Sequence, residues 1–319
     1  MSFGFRTNCV DGVAPELIDD IINASVGVEV SKSGGNNKCK IVEYNGKKYA
    51  VLKTTNIECY KFPTTMSKNK DKTPEQILED GDLNLDEVMN IGYNLQNHHV
   101  VPILGFSWDT ENVSKYHSAD GESKSAYARG FIVQPIAPGR ELYDGVGYID
   151  GTKPEKMKLL VDYTKEYSTI PASHFSTFAR DYIEISKQLT IDPSKRGNFF
   201  YDRERGFHFI DLNFIAKDSL SEAELTQMAT KYIAMQFRPV YSGTFEKFDT
   251  EDQTTIANGT RDIFVHMVQG FAEAGIDRDT IYAAVDDMVQ DSAVFQMAGI
   301  QSTSELLTLA KTKTEDVVQ

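Results

Sequence analysis

An α+β chain in two lobes, with the sheet first and the helices after, is what this sequence predicts. Two observations carry the prediction. Up to about residue 134 the apolar residues come in short alternating runs, among them "CKIVEYNGKKYAVLKTT" at 39–55, folded about Asn45-Gly46. Beyond that point they recur at helical spacing in long segments, broken once by the strand-like stretch "IDPSKRGNFFYDRERGFHFIDLNF" at 191–214. A length of 319 residues suits one large domain or two lobes. The expected division is 1–134, with an N-terminal helix, an antiparallel sheet and one further helix, and 135–319, a helical lobe carrying one hairpin.

The elements follow in order. Leu17, Ile18, Ile21 and Ile22 make "APELIDDIINAS" a helix over 14–25. "GVEV" at 27–30 reads as a short strand, and "SKSGGNNK" at 31–38 as a glycine-bearing turn. The Asn-Gly hairpin comes next. Residues 62–82 are polar, lysine-rich and then acidic, and suit a loop with a short helix. Leu85, Val88, Met89 and Tyr93 give a core stripe to a helix over 84–97. "HVVPILGFSWD" at 99–109 and "FIVQPI" at 131–136 are strands, with a polar turn region between them. Helices are expected near 153–168, 175–189, 221–236, 254–274, 277–291 and 302–312. Ser221 and Glu224 have capping-box spacing at the start of one of them.

Composition narrows the function classes. A net charge of −14 repels phosphate backbones, so nucleic acid is not an expected partner. Apolar runs such as "VVPILGF" fall far short of a membrane span, and "MSFGFRTNCVDG" lacks a signal-peptide pattern. The expected location is a cytoplasm, the cell's own or a host's. Three scattered cysteines and six scattered histidines suit neither a disulfide framework nor a zinc site.

The residues that suggest chemistry lie in four places. In "YAVLK", strand alternation puts Tyr49, Val51 and Lys53 on one face. "EVMNIGYNLQNHHVVPILGF" runs from a helix into a strand, and "FIVQPIAPGREL" from a strand into an irregular exit. In the 191–214 stretch Lys195 stands three residues before Asn198, and Asp211 thirteen after it. Asp211 is a charged group directly after Phe207, Phe209 and Ile210, where an apolar hairpin should continue. Taken singly, Lys53 also fits an exposed strand-end lysine, and "DPSKRGN" a surface turn.

Together these stretches resemble the protein-kinase-like superfamily over roughly residues 26–240. The resemblance implies a bilobal fold, with ATP bound together with magnesium or manganese. Lys53 would reach the phosphates and Val51 would lie over the base. Glu87 would pair with Lys53, with Asp86, Glu79 and Glu75 as rivals. Gly34 and Gly35 would belong to the phosphate-covering turn. Gln134 to Ile136 would offer backbone groups to the adenine. Asp192 would be the catalytic base and Lys195 its companion, while Asn198 and Asp211 would hold the metal. "DLN" at 211–213 stands where the family has Asp-Phe-Gly, and Asn213 tolerates the left-handed turn required there.

The departures are specific. "LTID" replaces the usual His-Arg-Asp, and Asp192 lies six rather than five residues before Asn198, with Pro193 in the expected place. "KSGGNN" is a shortened glycine loop. The span from Asp211 to the helix at 221 leaves no room for a long activation segment, as in small-molecule kinases or compact bacterial effector kinases. The implied activity is transfer of the γ-phosphate of ATP to an alcohol, with a protein Ser/Thr as leading acceptor. The alternatives are a pseudokinase acting as a binding module, a small-molecule kinase and an AMP transferase.

Overall fold

The computed structural model describes residues 5–33, 37–54, 86–109, 114–117, 124–127, 130–140, 162, 165–167, 169–191, 198–210, 214–215, 220–236, 245–290 and 292–315. Its element order is α+β as predicted, strands first and most of the helices after. The chain divides into two compact units. One holds 1–137 with 188–191 and 209–217; the other holds 138–187, 192–208 and 218–319.

The first unit opens with β1 (Phe5–Cys9), α1 (Pro15–Ala24), β2 (Lys32–Ser33), β3 (Asn37–Tyr44) and β4 (Lys47–Thr54). A helix over 86–94, α2, precedes β5 (Gly105–Asp109), β6 (Ser114–His117), β7 (Lys124–Tyr127) and β8 (Gly130–Pro135). Six of the strands form one sheet in the order β1-β5-β8-β4-β3-β2, while β6 and β7 pair as a separate hairpin. Asn45 and Gly46 both have positive φ, 50° and 73°, which matches the twist of a two-residue hairpin turn and sets Tyr44 opposite Lys47.

A helix covers each face of this sheet. Ile18 and Ile21 of α1 pack with Val42, Val51 and Val133. Met89 of α2 packs with Val10, Ile103, Phe106, Trp108 and Ile132 on the other face, and Leu52 and Tyr93 border that cluster. The alternation of Val51 and Leu52 between the two clusters is the strand period of two made visible. At Gly105 a Cβ would lie 2.6 Å from Ile18 Cγ1, so α1 seats against bare backbone there.

The second unit is built on α3 (Ser173–Ser186). The short β9 (Leu189–Thr190), the hairpin β10 (Phe199–Asp202) and β11 (Gly206–Phe209), and β12 (Phe214–Ile215) follow α3 in the chain, β9 pairing with β12 within the first unit. The remaining helices are α4 (Glu222–Gln236), α5 (Thr250–Glu273), α6 (Arg278–Val289), α7 (Ala293–Met297) and α8 (Thr303–Glu315). Buried aromatic rings weld α3 to the hairpin. Phe178 meets Phe199 at 5.4 Å and Phe207 at 5.1 Å, and Phe175 meets Phe207 at 5.2 Å. The capping box forms as expected: the Ser221 N–H donates to Glu224 Oε2 at 2.8 Å, and the Glu224 N–H to Ser221 Oγ at 3.3 Å. Asp249 and Asp277 cap α5 and α6 with their carboxylates alone, which accept from the Asp252 N–H and from the Asp279 and Thr280 N–H groups.

Several expectations need correction. "GVEV" is not a strand; pairing begins at Lys32, and Val26 and Val30 are exposed. The strand expected over 99–109 is regular only from Gly105, because His99 takes a left-handed backbone with φ 59° and Val100 makes an isolated parallel bridge to Phe209. β1, the β6–β7 hairpin, the β9–β12 pair and α7 were not anticipated. The helix expected over 153–168 is described only at 162 and 165–167, and the short helix within 62–82 lies outside the described residues.

Candidate nucleotide site

Lys53 sits near the end of β4, between β3 and β8, opposite Lys38 on one side and Phe131 on the other. Its side chain is exposed. Val51, two residues earlier on the same face, is only 1% exposed because Ile18 and Ile21 of α1 cover it. The face expected to lie over a base is therefore filled by a helix.

The expected Lys53–Glu87 pair is not made. Met89 and Tyr93 turn α2 toward the sheet face that Leu52 and Ile132 share, whereas Lys53 alternates onto the opposite face. Glu87 lies about 200° around the helix from Met89, which directs it to solvent, and it is exposed. Among the described residues no ion pair joins Glu87 to Lys53. The rival Asp86 is half-buried and near Cys9, whose thiol is pushed up first by burial and then by the Asp86 charge. Glu75 and Glu79 lie outside the described residues.

At the exit of β8, Gln134 is half-buried and its Nε2 donates to the Val101 carbonyl at 3.3 Å, while Ile136 is 38% exposed. Asn198 is 2% exposed, at the entry to β10. Its spacing from Lys195 and Asp211 singles it out in the sequence, and its burial adds that the side chain is held within the protein rather than on a surface turn. Gly34, Gly35, Asp192, Lys195 and Asp211 lie outside the described residues.

The strand leading to Asp211 is firmly set. The Phe209 N–H donates to the His99 carbonyl and the Val101 N–H to the Phe209 carbonyl, both at 2.9 Å. In the turn of the same hairpin, Asp202 Oδ1 accepts from the backbone N–H groups of Arg205 at 2.8 Å and Glu204 at 2.9 Å. Those bonds hold the Asp202 carboxyl below its ordinary range. Beside it, burial raises the phenol of Tyr201, whose hydroxyl lies 3.1 Å from His174 Nδ1. The backbone of Arg140 pairs with Tyr201 in both directions, at 3.0 and 2.8 Å. Nothing in the sequence pattern marked His174, Tyr201 or Arg140 as neighbours.

Among the described residues no group of three or more His, Cys, Asp or Glu could hold a metal, and no helix is long and apolar enough to cross a membrane. An amide oxygen from Asn198 and a carboxylate from Asp211 are hard oxygen donors, the kind magnesium takes.

No family model and no curated protein matches the chain. Solved structures do. One is WaaP in complex with acyl carrier protein, at 10% identity and a TM-score of 0.33, covering 98% of this chain and 100% of that one. Another is the ROP18 kinase domain in complex with AMP-PNP and sucrose, at 11% identity and a TM-score of 0.36, covering 95% and 92%. A third is ROP2 from Toxoplasma gondii, a virulence factor with a protein-kinase fold and no enzymatic activity, at 10% identity and a TM-score of 0.35, covering 89% and 81%. Likenesses this distant transfer neither a residue's role nor a ligand.

Proposed function

We propose that the chain is an ATP-dependent phosphotransferase of the protein-kinase-like kind, passing the γ-phosphate to an alcohol, with a protein Ser/Thr hydroxyl as the leading acceptor. The lobes divide near residue 135. The observation that carries the reading is Lys53: a solvent-open lysine on an inner strand of the sheet, flanked by β3, the first strand of its own hairpin, and by β8. Inner-strand positions are ordinarily apolar, and a lysine left open there is free to meet an anion.

In this reading Lys53 anchors the phosphates and Gly34 and Gly35 let the backbone approach them. Gln134 and Ile136 present backbone groups to the adenine. Asn198 and Asp211 would hold magnesium or manganese, which neutralises phosphate charge when bound. Asp192 accepts the proton of the acceptor hydroxyl, and Lys195 steadies the γ-phosphate. Millimolar ATP with magnesium should raise the melting temperature. Asp211→Ala should remove the metal-dependent part of that rise, and Asp192→Asn should lose phosphate transfer while binding survives. Absence of any shift in the wild type would overturn the reading.

A second reading, a module that binds nucleotide or protein without transferring phosphate, is favoured by one observation. α1 fills the face around Val51, and α2 directs Glu87 away from Lys53. ATP binding without transfer to any acceptor would select it.

A further inference from the structure

We propose that Lys38 and Lys53 form a paired phosphate clamp, so that Lys38 is a second anion-binding residue of the site. The inference rests on the nucleotide-binding reading of Lys53 and adds a residue to it. The register of the sheet sets Lys38 directly opposite Lys53, so the two side chains rise from the same face. Both are exposed. In the same cross-sheet row come Phe131, Ser107 and Thr7, none of them acidic.

Like charges directly opposite on adjacent strands destabilise a sheet. A chain with 47 acidic and 33 basic residues could readily set a carboxylate against one of them, yet among the described residues neither lysine has an ion pair. The next lysine along the same face, Lys40, is used differently: its Nζ donates to the Ser25 carbonyl at 2.8 Å, tying β3 to the end of α1. Among the described residues Lys38 and Lys53 have no such tether. Two lysine side chains whose Cβ atoms lie about 5 Å apart can bring their ammonium groups to adjacent phosphate groups of a di- or triphosphate, each donating to the oxygen atoms of one phosphate.

The test uses the full chain, with inorganic tripolyphosphate, ATP and adenosine as separate probes, by calorimetric titration at low ionic strength. Lys38→Met and Lys53→Met should each weaken tripolyphosphate and ATP binding on the order of tenfold, the effect of one charge-assisted contact. Neither should change adenosine binding. Lys48→Met removes one charge from the other face of the same strand and should leave all three unchanged. The free Lys38→Met protein should melt no lower than the wild type, since it relieves a repulsion. If Lys38→Met binds tripolyphosphate as the wild type does while Lys53→Met does not, the clamp is wrong and the role of Lys53 stands. If tripolyphosphate binds through both lysines but ATP and adenosine give no sign of base recognition, the clamp stands and the phosphotransferase reading falls. A wild type that binds none of the probes overturns both.

Discussion

The two hairpins of this chain, β3–β4 and β10–β11, start from equally clear local chemistry and end in opposite environments. The first turns at Asn45-Gly46, both with positive φ. The second turns at Asp202, whose side chain holds two backbone N–H groups. Yet β4 runs from the buried Val51 to the open Lys53, whereas every residue of β11 is buried and Phe207 touches aromatic rings from α3 and β10. Turn chemistry decides that a hairpin forms; what covers its faces decides whether its residues serve stability or stay available to a ligand.

The largest effect that would break this contrast comes from Phe207→Ala. Removing a ring that packs on Phe175, Phe178 and Tyr201 should cost about 3–5 kcal/mol in urea unfolding. Lys53→Met should stay within about 0.5 kcal/mol of the wild type. Similar costs for the two substitutions would erase the distinction.

An intermediate effect is expected at Gly139. Its φ is +79° and a Cβ there would lie 2.1 Å from the Tyr201 carbonyl oxygen, the acceptor of the Arg140 N–H. Gly139→Ala should cost about 1–3 kcal/mol by the same measurement, since both the backbone conformation and the close approach resist a side chain. A neutral result would mean that 138–140 is not held against β10.

The smallest effect sharpens the role of the second turn. The folded-state pKa of Asp202 lies below its unfolded value of about 3.9, so its contribution is present above that pH and is lost as pH falls through the folded value. Asp202→Asn keeps an oxygen for the turn and removes the titration. Its melting temperature should fall less than that of the wild type as pH drops below about 4. Parallel curves would show that the carboxylate charge adds nothing to the turn.

What the sequence disclosed follows the same division. The Asn45-Gly46 hairpin, the Ser221–Glu224 capping box and the long helices were legible because each signal lies within a few neighbouring residues. β1 was not, since "FRTNC" has little apolar pattern and exists as a strand by pairing with β5 about a hundred residues later. "GVEV" misled in the reverse sense, having strand composition without a partner. At the candidate site, the spacing of Lys195, Asn198 and Asp211 and the strand of Lys53 could be read directly. The seating of α1 over Val51 and the rotation of α2 that sends Glu87 to solvent could not. Strand alternation says which residues share a face and is silent on which helix will cover it.

The two hydrogen bonds that seat Phe209 between His99 and Val101 also set an order on folding. Val101 and Phe209 are more than a hundred residues apart, and the first compact unit includes 188–191 and 209–217. A nascent chain that has emerged only through β8 has its six-stranded sheet but not the segment that satisfies the His99 carbonyl and the Val101 N–H. Loop-closure entropy makes so long-range a contact slow to form. The amino-terminal unit therefore gains its last backbone partners only after residue 209 has been synthesised, and until then the His99 carbonyl and the Val101 N–H are open to other partners.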